Sequence, residues 1–462
     1  MSDISLALRN IRDPDCGLCK LCQSADRVCE LGRGALTGSI MVVSKMANGG
    51  SWQKELEQFL TDAGLNLDDI FFTQALRCRT FDQTASNADV KACRVYLEKE
   101  IALIKPKWIL AFGNEALLST TGKSGITKYR GKVWPGLAGV EVFATISPSS
   151  VKRNPGQLKG FLADLRLFSS KVRGISTGIK PPNYLVIDDR PKLDLLKKVL
   201  SKTVSLNFDV ETTGDYYEDN GRLVSLSGTC VVQSKSGLKT WVFALPLYHP
   251  ESPWKRKHRS VLTYLKTELE SIPEVVAHNG SYDSKWMITY GVELRTTIDT
   301  MIIAHLLNEN MQKGLKVLAP VYLGVEPWGI DTKDLLSTPL DEILEYNVLD
   351  TWYMYHLKRE LMKELQKQPR LLRILTELMM PAQSSLVDSE IRGIWIDVKR
   401  LEERTPIVRD TLKALEEKIL TSADLIYNRG LQPEDSDWLK DANGKPRDVN
   451  LNASIFARWM LF

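Results

Sequence analysis

The sequence predicts an α/β protein with three consecutive regions. Strand-like and helix-like segments alternate in the first region, three strand-like segments follow one another in the second, and the last region is largely helical. A chain of 462 residues is also longer than a single hydrophobic core allows, since such cores stop growing near roughly 250–300 residues. We therefore predict domains over residues 1–172 and 183–366, followed by a helical segment over residues 367–462.

The first region contains four apolar strand-like segments, SIMVVS, IFFTQAL, WILAFG and VEVFATI, with helix-like segments such as WQKELEQFLTDAG among them. This order is typical of a parallel sheet covered by helices. The segment KVRGISTGIKPPN that follows is polar and contains several Gly and Pro residues, which indicates a linker.

The second region opens with the strand-like segments VSLNFDVE, LVSLSGTCVV and TWVFALPLY, and helix-like segments begin near Ser260. Strands in such quick succession predict an antiparallel start to a mixed sheet. Segments such as LLRILTELMMPAQSSLVDSEIRG make the third region largely helical.

The composition is that of an ordinary globular protein, with 43% hydrophobic and 26% charged residues. No apolar run approaches the roughly 18 residues of a membrane span, and the N-terminal residues lack the pattern of a secretory signal. We therefore expect a cytoplasmic protein without a membrane partner. The formal net charge of +4 comes from a basic surplus in the first region, which suits a nucleic-acid partner but is equally explained by scatter in surface charge.

Two carboxylates share one face of the strand-like segment VSLNFDVE. Apolar and polar residues alternate in this segment, so Asp209 and Glu211 must project on the same side. Neighbouring carboxylates on a half-buried strand repel each other unless a cation lies between them, and oxygen ligands favour Mg²⁺ or Mn²⁺. Taken alone, the pair favours the other interpretation, a strand end that faces solvent.

Two later segments add polar groups that packing does not explain. Asn279 and Asp283 follow a short buried strand at the point where a loop turns into a helix. Tyr346 and Asp350 lie four residues apart and therefore on one helical face, after a helix start with the form of a capping box.

These segments resemble the exonuclease domain of the bacterial DNA polymerase I family over roughly residues 183–366. The resemblance rests on Asp-x-Glu-Thr at 209–212, Asn-x3-Asp at 279–283 and Tyr-x3-Asp at 346–350. It implies a ribonuclease H-like fold and a two-metal 3′→5′ exonuclease that proofreads by acting on single-stranded DNA 3′ ends. The segment Asp299-Thr300-Met301 also resembles the family, and we assign it to the scaffold.

The resemblance also assigns roles to individual residues. It implies one Mg²⁺ or Mn²⁺ ion held by Asp209, Glu211 and Asp350, and a second ion that shares Asp209 and is steadied by Asp283 through water. Tyr346 would orient the attacking water. The candidate contacts to the terminal nucleotide are Thr212 and Asn279.

Six of the seven cysteines lie within the first 93 residues, and in a cytoplasmic chain such clustering indicates metal binding instead of disulfides. Cys16 and Cys19 form one pair, and Cys78 and Cys93 flank a short loop that leads into a helix. These four thiolates could meet at one edge of the sheet. Their spacing suits zinc and an iron–sulfur cluster equally.

The first region resembles the family 4 uracil-DNA glycosylases over about residues 10–170, on the segments CGLCKLC, LRCRT, VKACRVYL, IKPKWILAFGNEAL and SPSSVKRNP. The resemblance implies a [4Fe–4S] cluster on the same four cysteines, with Zn²⁺ as the alternative. Two residues depart from the active pattern: Lys45 stands in the loop where active members carry an acid, and Ser147 stands where they carry His. We therefore expect a degenerate glycosylase domain that binds DNA or a partner.

The candidate DNA contacts of this domain are basic residues on its loops, and they could equally be solvated surface: Lys128, Arg130, Lys132, Lys152 and Arg153.

The segment MMPAQSSLVDSEIRGIWIDVKRLEE resembles the start of the polymerase module of the same family A polymerases. The motifs of a polymerase palm and fingers do not occur before Phe462. We therefore expect those modules in a longer chain or a separate subunit of a phage polymerase that acts on primer-template DNA in the cytoplasm of a bacterial host. The alternatives are an active uracil-DNA glycosylase and nuclease fusion for repair, or an inert DNA-clamping subunit.

Overall fold

The computed structural model describes residues 3–25, 28–46, 51–78, 85–175 and 178–428. The chain divides into two compact units, Met1–Ile391 and Arg392–Phe462. The first unit contains two six-stranded sheets, one within residues 1–172 and the other within residues 183–366. No described helix is both long enough and apolar enough to cross a bilayer.

The first sheet has the strand order β1-β3-β2-β4-β6-β5, in which the four central strands are parallel and the two edge strands are antiparallel to their neighbours. Its strands are β1 (Arg33–Gly34), β2 (Ile40–Met46), β3 (Ile70–Leu76), β4 (Trp108–Phe112), β5 (Val133–Pro135) and β6 (Glu141–Thr145). The parallel sheet predicted for the first region is confirmed.

Helices cover both faces of this sheet, because every central strand is apolar on both sides. The helices are α1 (Asp3–Ile11), α2 (Ser51–Asp62), α3 (Asn87–Ile104), α4 (Gly113–Thr121), α5 (Ile126–Tyr129), α6 (Pro148–Arg153) and α7 (Leu158–Val172). Ile40 and Val42 pack with α2 and α7, while Met41 and Val43 pack with α1, α3 and α4 on the opposite face. Short 3₁₀ turns lie at Lys20–Ser24, Leu67–Asp69, Leu137–Gly139 and Pro155–Gln157.

The second sheet has the order β12-β11-β8-β9-β10-β7, and β8, β9 and β10 form the predicted antiparallel start. Its strands are β7 (Leu185–Val186), β8 (Thr203–Thr213), β9 (Arg222–Ser234), β10 (Gly237–Pro246), β11 (Glu274–Ala277) and β12 (Ile298–Asp299). Its helices are α8 (Arg190–Leu200), α9 (His258–Glu270), α10 (Ser281–Thr289), α11 (Thr300–Leu307), α12 (Leu315–Leu323) and α13 (Leu340–Leu365).

The C-terminal region is largely helical in its described part, as predicted. It contains α14 (Pro369–Arg373), a π-helical turn at Ile374–Met379, α15 (Met380–Arg392) and α16 (Val398–Asn428). In the second unit the segment before α16 exposes Ile394 and Trp395, which are 90% and 84% accessible. Residues 429–462 of the predicted helical segment lie outside the described residues.

Two helices join the two sheets of the first unit. Helix α7 packs on α12, where the Lys159 ammonium lies 5.1 Å from the centre of the Tyr322 ring. Lys171 forms an ion pair with Glu326 just after α12. The position that a Cβ of Gly156 would take is only 2.3 Å from the carbonyl oxygen of Asn310. The two sheets therefore belong to one packed body.

A buried ion pair ties β3 to α3 in the first sheet. Arg77 and Glu100 are 1% and 0% exposed, and their charged atoms lie 2.6 Å apart. The Glu100 carboxylate also accepts hydrogen bonds from the Thr73 hydroxyl at 2.5 Å and the Gly32 amide at 3.0 Å. The Arg77 amide also donates a hydrogen bond to the Cys93 sulfur at 3.4 Å. Because Cys78 follows Arg77 in the chain, the segments that carry Cys78 and Cys93 lie together.

We predict that Glu100→Ala lowers the free energy of unfolding by about 3–5 kcal/mol, because it leaves the buried Arg77 charge without its partner. Glu98→Ala on the same helix removes a half-exposed pair with Arg94 and should cost only about 0.3–0.5 kcal/mol. Urea titrations followed by circular dichroism measure both, and equal losses in the two variants would contradict the prediction.

Candidate functional site

Three carboxylates from two elements meet at the middle of the second sheet. Asp209 and Glu211 lie on β8, Asp350 lies on α13, and one oxygen of each falls within 4.8 Å of the others. The side chain of Val210 between the first two is buried in the core on the opposite face. The structure therefore contains the alternation that was predicted along β8 around these residues. It also places Asp209 and Glu211 together, as predicted.

Helix α13 reaches β8 because small polar residues line the face of β9 that it crosses. Ser225 and Ser227 on β9 donate hydrogen bonds to the side-chain oxygen and the carbonyl of Asn347, at 3.1 and 2.7 Å. Asn347 in turn donates to the Asp209 carboxylate at 2.6 Å. The helix is thus held against the sheet one turn from Asp350.

Asp283 stands beside the three-carboxylate group without joining it. It is 4% exposed at the start of α10, and one of its oxygens accepts the amide hydrogen of Val210 at 3.1 Å. It is not among the three residues of the compact group, and its contact with a metal ion through water stays a prediction.

Burial makes this group of acids electrostatically costly. It raises the pKa of Asp209 to about 6. Burial, followed by repulsion from Asp209, holds the pKa of Glu211 and that of Asp283 well above their usual range. Such a group binds protons or a cation, because charged carboxylates out of water repel each other.

The donor set fits a divalent cation. Carboxylate oxygens are hard ligands that suit Mg²⁺ and Mn²⁺, and oxygens this close together can bind one ion through bonds of about 2.0–2.4 Å. A positively charged side chain of the protein already lies among them.

That side chain is Lys316, which the sequence analysis missed. Its ammonium contacts Asp350 without forming a hydrogen bond of ordinary geometry, and it lies 4.2 Å from the ring centres of both Trp328 and Tyr346. Burial lowers its pKa to about 7, although Asp209 and Glu211 attract its charge. The available signal was a lysine in the first turn of an otherwise apolar helix, LKVLAPVYL.

Two aromatic residues complete this side of the site. The Trp328 indole N–H donates to Asp350 at 2.5 Å. Tyr346 lies half-buried one turn before Asp350, as its spacing predicts. Burial, with the nearby acids, raises the pKa of the Tyr346 phenol far above neutrality, so the hydroxyl keeps its proton.

Thr212 and Asn279 lie at the ends of β8 and β11. The Thr212 hydroxyl hydrogen-bonds to the Tyr282 hydroxyl at 2.5 Å. Asn279 adopts a left-handed backbone with φ of 65°, and its amide donates to Asp299 at 3.0 Å. Their contacts to a nucleotide stay predictions.

Asp299 holds the loop that leads to Asp283. It is fully buried and accepts the amide hydrogens of Gly280 and Met301, each at 2.8 Å, in addition to that of Asn279. The Gln383 side chain donates to it as well, at 2.7 Å. These contacts agree with the scaffolding role inferred from its sequence.

The cysteines gather in one cluster of the first domain. Cys16, Cys78 and Cys93 are buried, Cys19 is half-buried, and Cys22 and Cys29 adjoin them. Burial raises the pKa of Cys93 to about 12. Among the described residues, the cysteine sulfurs do not form a group as compact as the carboxylates of Asp209, Glu211 and Asp350.

The five basic residues proposed as DNA contacts have different surroundings. The Arg130 guanidinium pairs with the buried Asp164 at 2.9 Å and is only 14% exposed, so its first role is structural. Lys152 pairs with Glu55 at 2.9 Å on the surface. Lys128 lies near the Tyr129 ring, and Arg153 is 3.4 Å from the Ser150 hydroxyl.

Lys132, the fifth of these residues, lies in a cleft beside Tyr346. The structure therefore places it next to the acidic site of the other domain, which its sequence did not predict.

The two departures from the glycosylase pattern have structural partners. The Lys45 ammonium forms an ion pair with Glu115 at 2.8 Å. Ser147 caps the N-terminus of α6 by accepting the amide hydrogen of Ser150 at 3.3 Å.

Family models match both sheet-containing regions. Residues 37–166 match the uracil DNA glycosylase superfamily, and residues 184–366 match a 3′-5′ exonuclease domain of the DNA polymerase A type.

Curated relatives match the chain over different spans. A DNA polymerase of Bacillus phage SP01 is 24% identical over 415 residues, which are 80% of this chain and 44% of that protein. A DNA polymerase of Escherichia phage T5 is 24% identical, over 68% of this chain and 38% of the relative. A type-4 uracil-DNA glycosylase of Pyrobaculum aerophilum is 33% identical over 24% of this chain and 63% of its own length. The chain thus spans less than half the length of these phage polymerases.

Among solved structures, ribonuclease D of Escherichia coli is similar at 20% identity and a TM-score of 0.33, over 46% of this chain and 52% of that one.

Proposed function

Because the chain carries a uracil-DNA glycosylase-like domain followed by a ribonuclease H-like 3′→5′ exonuclease domain of the family A DNA polymerases, we propose that it removes nucleotides from DNA 3′ ends in polymerase proofreading. The observation that carries the proposal is the convergence of Asp209, Glu211 and Asp350 within 4.8 Å. Binding alone would not require three carboxylates, two of them half-buried and one buried, at one point.

The residues present fit two divalent cations. Asp209, Glu211 and Asp350 would hold one, and Asp209 would share the other with Asp283 acting through water. When bound, such cations activate water and stabilise the leaving 3′ oxygen. Before they bind, the Lys316 ammonium offsets part of the negative charge.

The Tyr346 hydroxyl would position the attacking water. Its raised pKa keeps the phenolic proton in place, so the oxygen can both donate and accept a hydrogen bond at neutral pH. The ring is held by its position on α13 and by the Lys316 ammonium 4.2 Å from its centre. The role of Tyr346 is therefore orientation, with no proton transfer of its own.

We predict that Asp209→Ala abolishes Mg²⁺-dependent release of nucleotides from a 3′-labelled single-stranded oligonucleotide. Tyr346→Phe should lower kcat by roughly tenfold to a hundredfold while KM changes little, since only the orientation of the water is lost. Tyr355→Phe on the same helix, outside the site, is the matched control. Undiminished degradation by the Asp209 variant would refute the proposal.

The glycosylase-like domain is proposed to be catalytically silent. The Lys45 ammonium, paired with Glu115, cannot accept a proton from water as a carboxylate does. Ser147 is committed to capping α6. Both observations support a role for this domain in binding and assembly.

We predict that uracil-containing DNA treated with this protein shows no alkali-labile sites above background when EDTA silences the nuclease. An active type-4 glycosylase, assayed beside it, serves as the positive control. Appearance of such sites would instead favour a repair enzyme with two activities.

A [4Fe–4S] cluster on Cys16, Cys19, Cys78 and Cys93 is our proposal for the cysteine site. The buried Arg77 guanidinium lies beside it with two nitrogens that find no hydrogen-bond partner in the described part of the chain, and its charge favours the thiolate of Cys93. A zinc ion with bonds of about 2.3 Å would need sulfurs about 3.8 Å apart, a closer grouping than these cysteines show. The arginine favours thiolate ligands for either group, and the separation of the sulfurs supports a cluster over zinc.

We predict about four iron atoms with matching sulfide per chain, and visible absorbance, in protein handled without oxygen. Cys93→Ser should lose this iron, whereas Cys22→Ser, which changes a neighbouring cysteine outside the set, should retain it. One zinc and no iron would contradict the cluster.

The remaining proposals concern assembly. The exposed Ile394 and Trp395 in the second unit, and the similarity to longer phage polymerases, support association with polymerase palm and fingers modules in the same longer chain or a separate subunit. Primer-template DNA would be the common substrate. Such an assembly would work in the host cytoplasm.

A further inference from the structure

A cleft at the exonuclease site has walls from both domains. Tyr346 and Trp328 line it on the exonuclease side, together with Glu342 and Glu345, while Lys132 lines it from the glycosylase-like domain. The cavity volume is about 330 Å³, at the lower end of the range of sites that hold small-molecule ligands. The cleft adjoins the catalytic group directly, since Trp328 donates its hydrogen bond to Asp350.

Lys132 is held at this position by the backbone before it. Gly131 adopts φ of +72°, and the place of its absent Cβ lies 3.0 Å from Pro327 of the exonuclease domain. Its amide donates to the Ala144 carbonyl at 2.8 Å, and the preceding Arg130 is locked to Asp164. The loop therefore presses against the exonuclease domain with little freedom, which leaves the Lys132 side chain facing the cleft.

The charges around the cleft leave Lys132 available for a phosphate. Within the described residues it has no ion-pair partner, whereas Arg130 and Lys152 are paired with carboxylates. Its charge also acts on Lys316, so both cations lie near the same site. Glu342 and Glu345 on the α13 wall repel phosphates, so a strand entering the cleft would favour the side that carries Lys132.

We propose that Lys132 binds a backbone phosphate of the 3′-terminal DNA strand, so that the glycosylase-like domain forms a substrate-binding wall of the exonuclease cleft. This inference rests on the proposed exonuclease function. The glycosylase-like domain, which we propose to be catalytically silent, then takes a direct part in editing, because its Lys132 places a positive charge in the exonuclease cleft.

The test compares Lys132→Gln with Lys107→Gln, Lys132→Arg and the unchanged protein. Lys107 is exposed just before β4, at the end of the parallel strands opposite to Lys132, and its loss removes the same charge. One measurement is Mg²⁺-dependent hydrolysis of a single-stranded thymidine tetranucleotide, which is short enough to report on the cleft. The other is the salt dependence of equilibrium binding of a single-stranded oligonucleotide in EDTA.

Lys132→Gln should raise KM about threefold to tenfold with kcat changed less than about twofold, because a charged phosphate contact is lost. The slope of log affinity against log salt should fall by about 0.7 for the single lost contact. Lys132→Arg and Lys107→Gln should resemble the unchanged protein in both measurements.

Equal behaviour of Lys132→Gln and Lys107→Gln would overturn the inference, as would a lower kcat with KM and the salt slope unchanged. The binding measurement in EDTA is independent of turnover. If the unchanged protein hydrolyses nothing, but Lys132→Gln alone lowers the salt slope, the exonuclease proposal is refuted and the phosphate contact is retained.

Discussion

Repulsion among buried carboxylates is the constraint on which the second domain depends. Asp209, Glu211 and Asp350 lie within 4.8 Å in a place that raises the pKa of Asp209 to about 6. A fold without a function for these groups would gain stability by replacing them. Small Ser and Thr side chains on β9 let α13 approach the sheet, and Asn347 links that helix to Asp209. The scaffold thus maintains a concentration of negative charge that bound protons or a cation relieve.

Helix α12 connects that constraint to the first domain. Its first turn supplies Lys316 to the acids, and a later turn packs on α7 through Tyr322. The loop after it carries Trp328 to Asp350 and contacts Gly131 through Pro327. The glycosylase-like domain therefore supports one side of the nuclease site through these contacts. These contacts use neither Lys45 nor Ser147, so the support given to the nuclease site does not depend on any glycosylase activity of this domain.

Within the first domain, long-range contacts hold the cysteines together, whereas the loop that carries Lys45 differs from the corresponding loop of active glycosylases. Arg77 and Glu100 join β3 to α3, and this brings Cys78 and Cys93 side by side. In contrast, Lys45 stands where active glycosylases carry an acid, and it forms an ion pair with Glu115. Structural support and catalytic residues are thus separable in this domain, because they depend on different contacts.

The sequence by itself determined the features that depend on local periodicity. Alternation along β8 placed Asp209 and Glu211 on one face, and four-residue spacing placed Tyr346 with Asp350. Only the tertiary structure decided what packs against those faces. It placed Lys316 among the acids, directed Lys132 toward the cleft of the neighbouring domain and paired Arg130 with Asp164. A periodic pattern reports the side on which a residue lies, whereas its partner comes from a distant segment whose approach depends on packing of the whole domain.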